Sequence, residues 1–154
     1  MFWNLVVAMM IVGLNSSIAF SEELPNKFLG TWFASNAGPT QTKDQCSDDA
    51  YEIGISRNKE KIEISGGSGD NFCTWTNGRK LDSEIEADKI SRITAEVIVY
   101  AVKSQCEKID EGKYPPGTSV ITYISKTIAG RTDEKLYIGS AAELFSGFYR
   151  RCKK

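Results

Sequence analysis

Ile93-Thr94-Ala95-Glu96-Val97-Ile98-Val99-Tyr100-Ala101-Val102-Lys103-Ser104-Gln105 is the stretch whose reading decides the fold. Its Ala, Glu, Val and Lys would allow a helix, yet Ile93, Ala95, Val97, Val99 and Ala101 alternate with Thr94, Glu96, Ile98 and Tyr100. β-Branched side chains lose rotamer freedom in a helix and pack well on a pleated surface. The stretch is therefore read as one long strand, and the chain as all-β.

Working outward, the same period of two recurs. Gly30 to Ser35 places Trp32 and Ala34 on one face, and Tyr51 to Ser56 does so with Tyr51, Ile53 and Ile55. Lys61 to Ser65 points Ile62 and Ile64 inward, and the short link Arg57-Asn58-Lys59-Glu60 predicts a hairpin with the strand before it. Ser65 to Asn71 reads as a loop. Phe72 to Thr76 reads as a fourth strand ending at Asn77-Gly78, a dipeptide that favours a type I′ turn, with Arg79 to Glu86 returning as a fifth. Tyr114-Pro115-Pro116-Gly117 breaks the chain before a strand from Ser119 to Ala129. Gly130 to Asp133 turns into Lys135 to Gly139, and Leu144 to Cys152 closes the fold. About eight strands with little helix predict an antiparallel barrel or sandwich, closure being the way to abolish sheet edges.

The 154 residues suit one domain. Met1 to Phe20 carries no charge, and its centre LVVAMMIVGL has the length of a signal-peptide apolar region. Ser17-Ile18-Ala19 supplies the small residues of a cleavage site, so residues 1–19 are read as a signal peptide and 20–154 as a single mature domain. The segment before the apolar core lacks Lys or Arg, but that core falls short of the roughly 20 residues of a membrane span. No cysteine follows the cleavage site to carry a lipid anchor. Export to a periplasm or the extracellular space follows as an expectation, with no stable membrane span after cleavage.

The 19 basic and 20 acidic residues all lie beyond the signal, and this balance argues against nucleic acid as a partner. The run Tyr149-Arg150-Arg151-Cys152-Lys153-Lys154 reads as a solvated chain end. Cys46, Cys73, Cys106 and Cys152 make an even count, read in an exported protein as two disulfides. Of the three possible pairings, Cys46–Cys73 with Cys106–Cys152 is preferred, because it staples the two halves separately.

There is no histidine, so Ser-His-Asp and Cys-His catalysis, histidine-ligated zinc and a histidine pH switch are all excluded. Glu107, Asp110 and Glu111 offer carboxylates, but in a Lys-, Gly- and Pro-rich segment they read as a surface loop rather than a glycosidase pair. GGSGDN has neither the repetition of a calcium-binding glycine repeat nor the Gly-Lys-Ser/Thr of a phosphate loop. No cofactor or metal is expected, and no enzymatic activity. Trp32 and Trp75, the two tryptophans of the mature chain, read as barrel core, and as the aromatics that would line a cavity if the barrel has one.

The segment Leu24-Pro25-Asn26-Lys27-Phe28-Leu29-Gly30-Thr31-Trp32-Phe33-Ala34-Ser35 resembles calycin-type barrels, whose first strand is marked by Gly-x-Trp, here Gly30 and Trp32. Within these it is similar to lipocalins, and more so to small periplasmic inhibitors of bacterial metalloproteases. The resemblance implies a Cys46–Cys73 bridge, and an N-terminal trunk of Phe20, Ser21, Glu22, Glu23 and Leu24 that enters a protease cleft. The chain departs from those inhibitors in its length, its second cysteine pair and the two glutamates of the trunk. The expected function is thus an exported, disulfide-bonded binding protein, its partner another protein, as in enzyme inhibition. Carriage of a small apolar ligand, and an envelope or host interaction, are the alternatives.

Overall fold

The computed structural model describes residues 22–34, 52–66, 70–140 and 144–151. The signal-peptide reading, Phe20 and Ser21 of the trunk, and Cys46 and Cys152 lie outside them. Among the described residues, nine strands form one antiparallel sheet: β1 Gly30–Ala34, β2 Glu52–Asn58, β3 Lys61–Gly66, β4 Asn71–Asp88, β5 Ile93–Lys108, β6 Gly112–Lys113, β7 Gly117–Ile128, β8 Arg131–Ser140 and β9 Gly147–Arg151. The order β4-β3-β2-β1-β9-β8-β7-β5 returns to β4 through the β4–β5 pairing. Eight strands thus close an antiparallel barrel, and the two-residue β6 hangs on β5 outside the ring. The architecture is consistent with a calycin-like barrel. Closure falls at β1, where Trp32 is opposite Ile53 of β2 on one side and Arg151 of β9 on the other.

The period of two carries through to burial. Ile53 and Ile55, Ile62 and Ile64, Tyr100 and Val102, Ile121 and Tyr123, Leu136 and Ile138 all point into one packed cluster. Phe28, from a 3₁₀ turn at Asn26–Phe28, enters the cluster from one end. Phe145 lies against Gly66 at the other, and Tyr149 Oη donates to its carbonyl at 2.8 Å. The interior positions are occupied by side chains. Phe33, on the opposite face of β1 from Trp32, is buried too but stands apart from this cluster.

The long strand is present, as β5, and β2 and β3 form the expected hairpin around Lys59-Glu60, Lys59 taking a φ of 56°. Three expectations are corrected. Asn77-Gly78 is not a turn. Thr76 pairs with Lys103 and Arg79 with Ala101, so two residues of β4 bulge opposite Val102 and the strand runs on to Asp88. Asn77 still adopts the left-handed conformation that Asn tolerates, with φ 50°, but it spends it on a bulge. The reason is nonlocal: Ile93 to Ala101 of β5 offers a pairing partner to Arg79–Asp88, and a turn at Asn77 would forfeit those ladder bonds. The second correction is smaller, since the β7–β8 turn takes only Ala129 and Gly130 rather than Gly130 to Asp133. The third concerns the disulfide, which joins Cys73 to Cys106, so neither Cys46–Cys73 nor Cys106–Cys152 forms. The two cysteines face each other directly in the β4–β5 ladder and both point inward, a proximity that only strand register creates.

β4, β5, β7 and β8 continue past the barrel as an overhanging sheet. β3 pairs with β4 only as far as Trp75, so Arg79–Asp88 has β5 on one side and no strand on the other among the described residues. Asp82, Glu84 and Glu86 line this edge, charges of the kind that discourage edge-to-edge pairing.

Candidate binding site

At the plugged end of the barrel the chain enters through Glu22–Leu29, and this segment organises what surrounds it. Glu22 N donates to Gly78 O at 2.9 Å, and Glu22 Oε2 accepts from Lys80 N at 3.0 Å. The bulge at Asn77-Gly78 therefore presents backbone groups that hold the entering chain. A Cβ on Gly78 would sit 2.9 Å from the Glu22 carbonyl oxygen, which is why glycine is needed there. Glu23 pairs with Arg57 of β2, whose guanidinium also donates to Leu24 O at 2.5 Å, while Leu24 itself is buried. Of the trunk residues named from the sequence, Glu22, Glu23 and Leu24 are thus fastened to the barrel rather than free.

Trp32 is fully buried and acts as the base on which the plug rests. Its indole N–H donates to Phe28 O at 2.9 Å, and the Arg151 guanidinium stacks over its ring at 4.0 Å. Arg151 also donates to Leu29 O and Lys27 O and pairs with Glu134 at 3.3 Å. Gly30, with φ 118°, leaves room for this guanidinium, because a Cβ there would lie 2.6 Å from Arg151 Nη1. Arg151 corrects the reading of the basic terminal run as a solvated end: Tyr149, Arg150 and Arg151 are strand residues, and Arg151 ties the last strand to the plug. Lys27, paired with Glu96 at 2.7 Å and 5.5 Å from the Tyr123 ring, fixes the plug from the β5 side.

Beside the trunk lies a cleft of about 500 Å³. Leu24, Ile62, Trp75 and Val102 give it an apolar floor; Glu22, Glu23, Arg57, Lys59, Glu60 and Lys61 give it a charged rim. Trp75, named from the sequence as a cavity aromatic, is buried in the same packed cluster as Trp32 and only its margin borders this cleft.

The second exposed feature is the end of the overhang. Asp88 fastens the β4–β5 turn, its Oδ1 accepting from Ile90 N at 2.9 Å and its Oδ2 from Ser91 Oγ at 2.5 Å. The hydrogen bond from Ser91, with the backbone N–H groups, holds its carboxyl below the usual value, so the charged form that closes the turn persists further into acid than an ordinary Asp would. The turn presents Ile90 with 97% of its surface exposed. Ile85 at 69% and Ile128, which is opposite Ile93 in the β5–β7 ladder, lie on the same overhang. The sequence holds no periodic signal for this feature, since an exposed isoleucine at a turn looks like any strand-end residue.

The carboxylates of the Glu107–Glu111 segment sit at the far end, around β6. Glu111 bonds Lys108 and accepts from Tyr114 Oη at 2.6 Å; the Lys108 hydrogen bond holds its carboxyl below the usual range, the opposite of what a general acid needs. Among the described residues no group of three or more Cys, Asp or Glu is placed to hold a metal ion, and no helix is long and apolar enough to cross a membrane. Comparison of the chain with protein-family models, with curated proteins and with solved structures finds no match.

Proposed function

We propose that this protein is a non-catalytic binding protein that acts outside the cytoplasm and recognises another protein through the end of its overhanging sheet. The observation that carries the reading is Ile90, almost wholly exposed on a turn that Asp88 closes, at the end of a paired sheet. An apolar side chain held out on a rigid element loses little entropy on entering a partner's pocket, and such buried anchors dominate interface energies. Lys89 and Arg92, on either side, would give it a polar rim.

Enzyme inhibition remains the finer form of this reading, with the resemblance to protease inhibitors as its motive. The described part of the trunk supports it less than the overhang does, because Glu22, Glu23 and Leu24 are already bonded to the barrel. A photo-crosslinking amino acid placed at position 90, and in a control at Asp110 on the opposite end, tests the proposal in cells expressing the full chain. A discrete protein adduct is expected from position 90 alone, lost when Ile85 is changed to Asp. Equal labelling from both positions, or none from position 90, would sink it.

A further inference from the structure

We infer, resting on the reading of the overhang as a protein-recognition end, that the partner is an extended basic segment of another protein, which pairs along the outer edge of β4 as a further strand. The trunk holds only the first rung of that edge, where Glu22 N donates to Gly78 O and Glu22 Oε2 accepts from Lys80 N. Beyond it β4 runs exposed from Leu81 to Asp88, with β5 on one side and, among the described residues, no strand on the other. Such an edge presents a row of backbone N–H and C=O groups set for ladder bonds to an incoming chain. The Ser83 N–H is met by Asp82 Oδ1 at 2.8 Å, an exposed local bond that an incoming carbonyl can replace.

The side chains along the edge decide which chain it takes. Asp82, Glu84 and Glu86 project from one face of β4, opposite Val99, Val97 and Ala95 of β5, and none of the three forms an ion pair among the described residues. Two copies pairing edge to edge in one antiparallel sheet would set this row against itself, with like charges in opposition. A strand carrying Lys or Arg at alternate positions reverses the sign at every contact on that face.

On the other face Ser83, Ile85 and Ala87 alternate with the carboxylates, and Ile85 is 69% exposed. The residues between the partner's cations are therefore apolar. Ion pairs on an open surface are worth little each, so the backbone ladder supplies the affinity and the carboxylates select the partner. Ile90 stands just past the last rung, in position to enter a pocket of the same partner.

The test uses labelled octapeptides, as long as Leu81–Asp88, added to the folded protein and read by fluorescence anisotropy. One alternates lysine with valine; a second has the same composition in two blocks; two more are the alternating peptide N-methylated at every lysine or at every valine. The alternating peptide is expected to bind at least about tenfold more tightly than the block peptide. Because only one edge of an added strand faces β4, one N-methylated peptide should lose about tenfold or more and the other should keep its affinity. Glu84→Lys with Glu86→Lys should weaken the alternating peptide by about fivefold or more while melting is unchanged, and Asp110→Lys at the far end should leave it untouched. The same pair of substitutions should abolish the adduct formed from position 90. Equal binding of the alternating and block peptides, or equal affinity of the two N-methylated ones, would reduce the effect to charge alone and overturn the inference. An adduct from position 90 that survives the double variant would overturn it too while leaving the reading of Ile90 intact; absence of any such adduct would overturn both.

Discussion

Arg151 shows how much one side chain holds at this end of the barrel. It stacks on Trp32, caps the Leu29 and Lys27 carbonyls and pairs with Glu134. Arg151→Met keeps the apolar stem but leaves those carbonyls unpaired, and is expected to cost about 2–4 kcal/mol in urea unfolding. Arg151→Lys should recover less than half of that, since an ammonium cannot both stack flat and donate in three directions. The tyrosines of the core make a second residue-scale prediction. Burial raises Tyr149 to about 12, and burial followed by the hydrogen bond to Glu134 raises Tyr123 to about 12, against an ordinary 10.0. A folded pKa above the unfolded one means that the neutral phenol favours the fold. That contribution is complete below about pH 10 and is lost as pH rises toward about 12. Stability should therefore fall across this window, and tyrosinate absorbance should show two phenols ionising last, together with unfolding. Ionisation of all tyrosines near pH 10 with the fold intact would contradict their placement.

At the scale of the element, the turns and the bulge exchange the roles their sequences suggest. Asn77-Gly78 has the residues of a type I′ turn and forms a bulge, while Ala129-Gly130 makes the two-residue turn with φ 49° and 79°. Alanine pays a steric penalty at positive φ that asparagine largely avoids. Ala129→Asn should stabilise the protein by about 0.5–1 kcal/mol, read as a rise in urea midpoint at unchanged slope. No gain, or a loss, would mean that the turn is not held as described. The bulge has a further consequence for the site, because it offers Gly78 O and Lys80 N to the entering trunk and so creates one wall of the cleft.

On the scale of the whole molecule, the barrel closes between segments far apart in the chain, Trp32 against Arg151, and its one described disulfide lies within a single hairpin. Cys73 and Cys106 are separated by 33 residues, a loop whose closure is worth about 3–4 kcal/mol in the chain-entropy account. Loss of the bridge in a Cys73→Ala, Cys106→Ala double variant should lower stability by up to about that amount. Peptide mapping without reductant should return Cys73 linked to Cys106; a peptide linking Cys73 to Cys46 would refute the register of β4 on β5. By itself the sequence determined the class of fold, because alternation and β-branching act within each strand: Ile62 and Ile64, or Val97 and Val99, declare a pleated segment wherever it ends up. It also marked Trp32 as the start of a barrel and the lack of imidazole chemistry. Pairing was decided only in the tertiary structure. A turn signal at Asn77-Gly78, a cysteine with three possible partners and an arginine in a basic tail each depend on which strand arrives beside them. That choice is made by ladder bonds and burial summed over the closed sheet, energies that no local stretch contains.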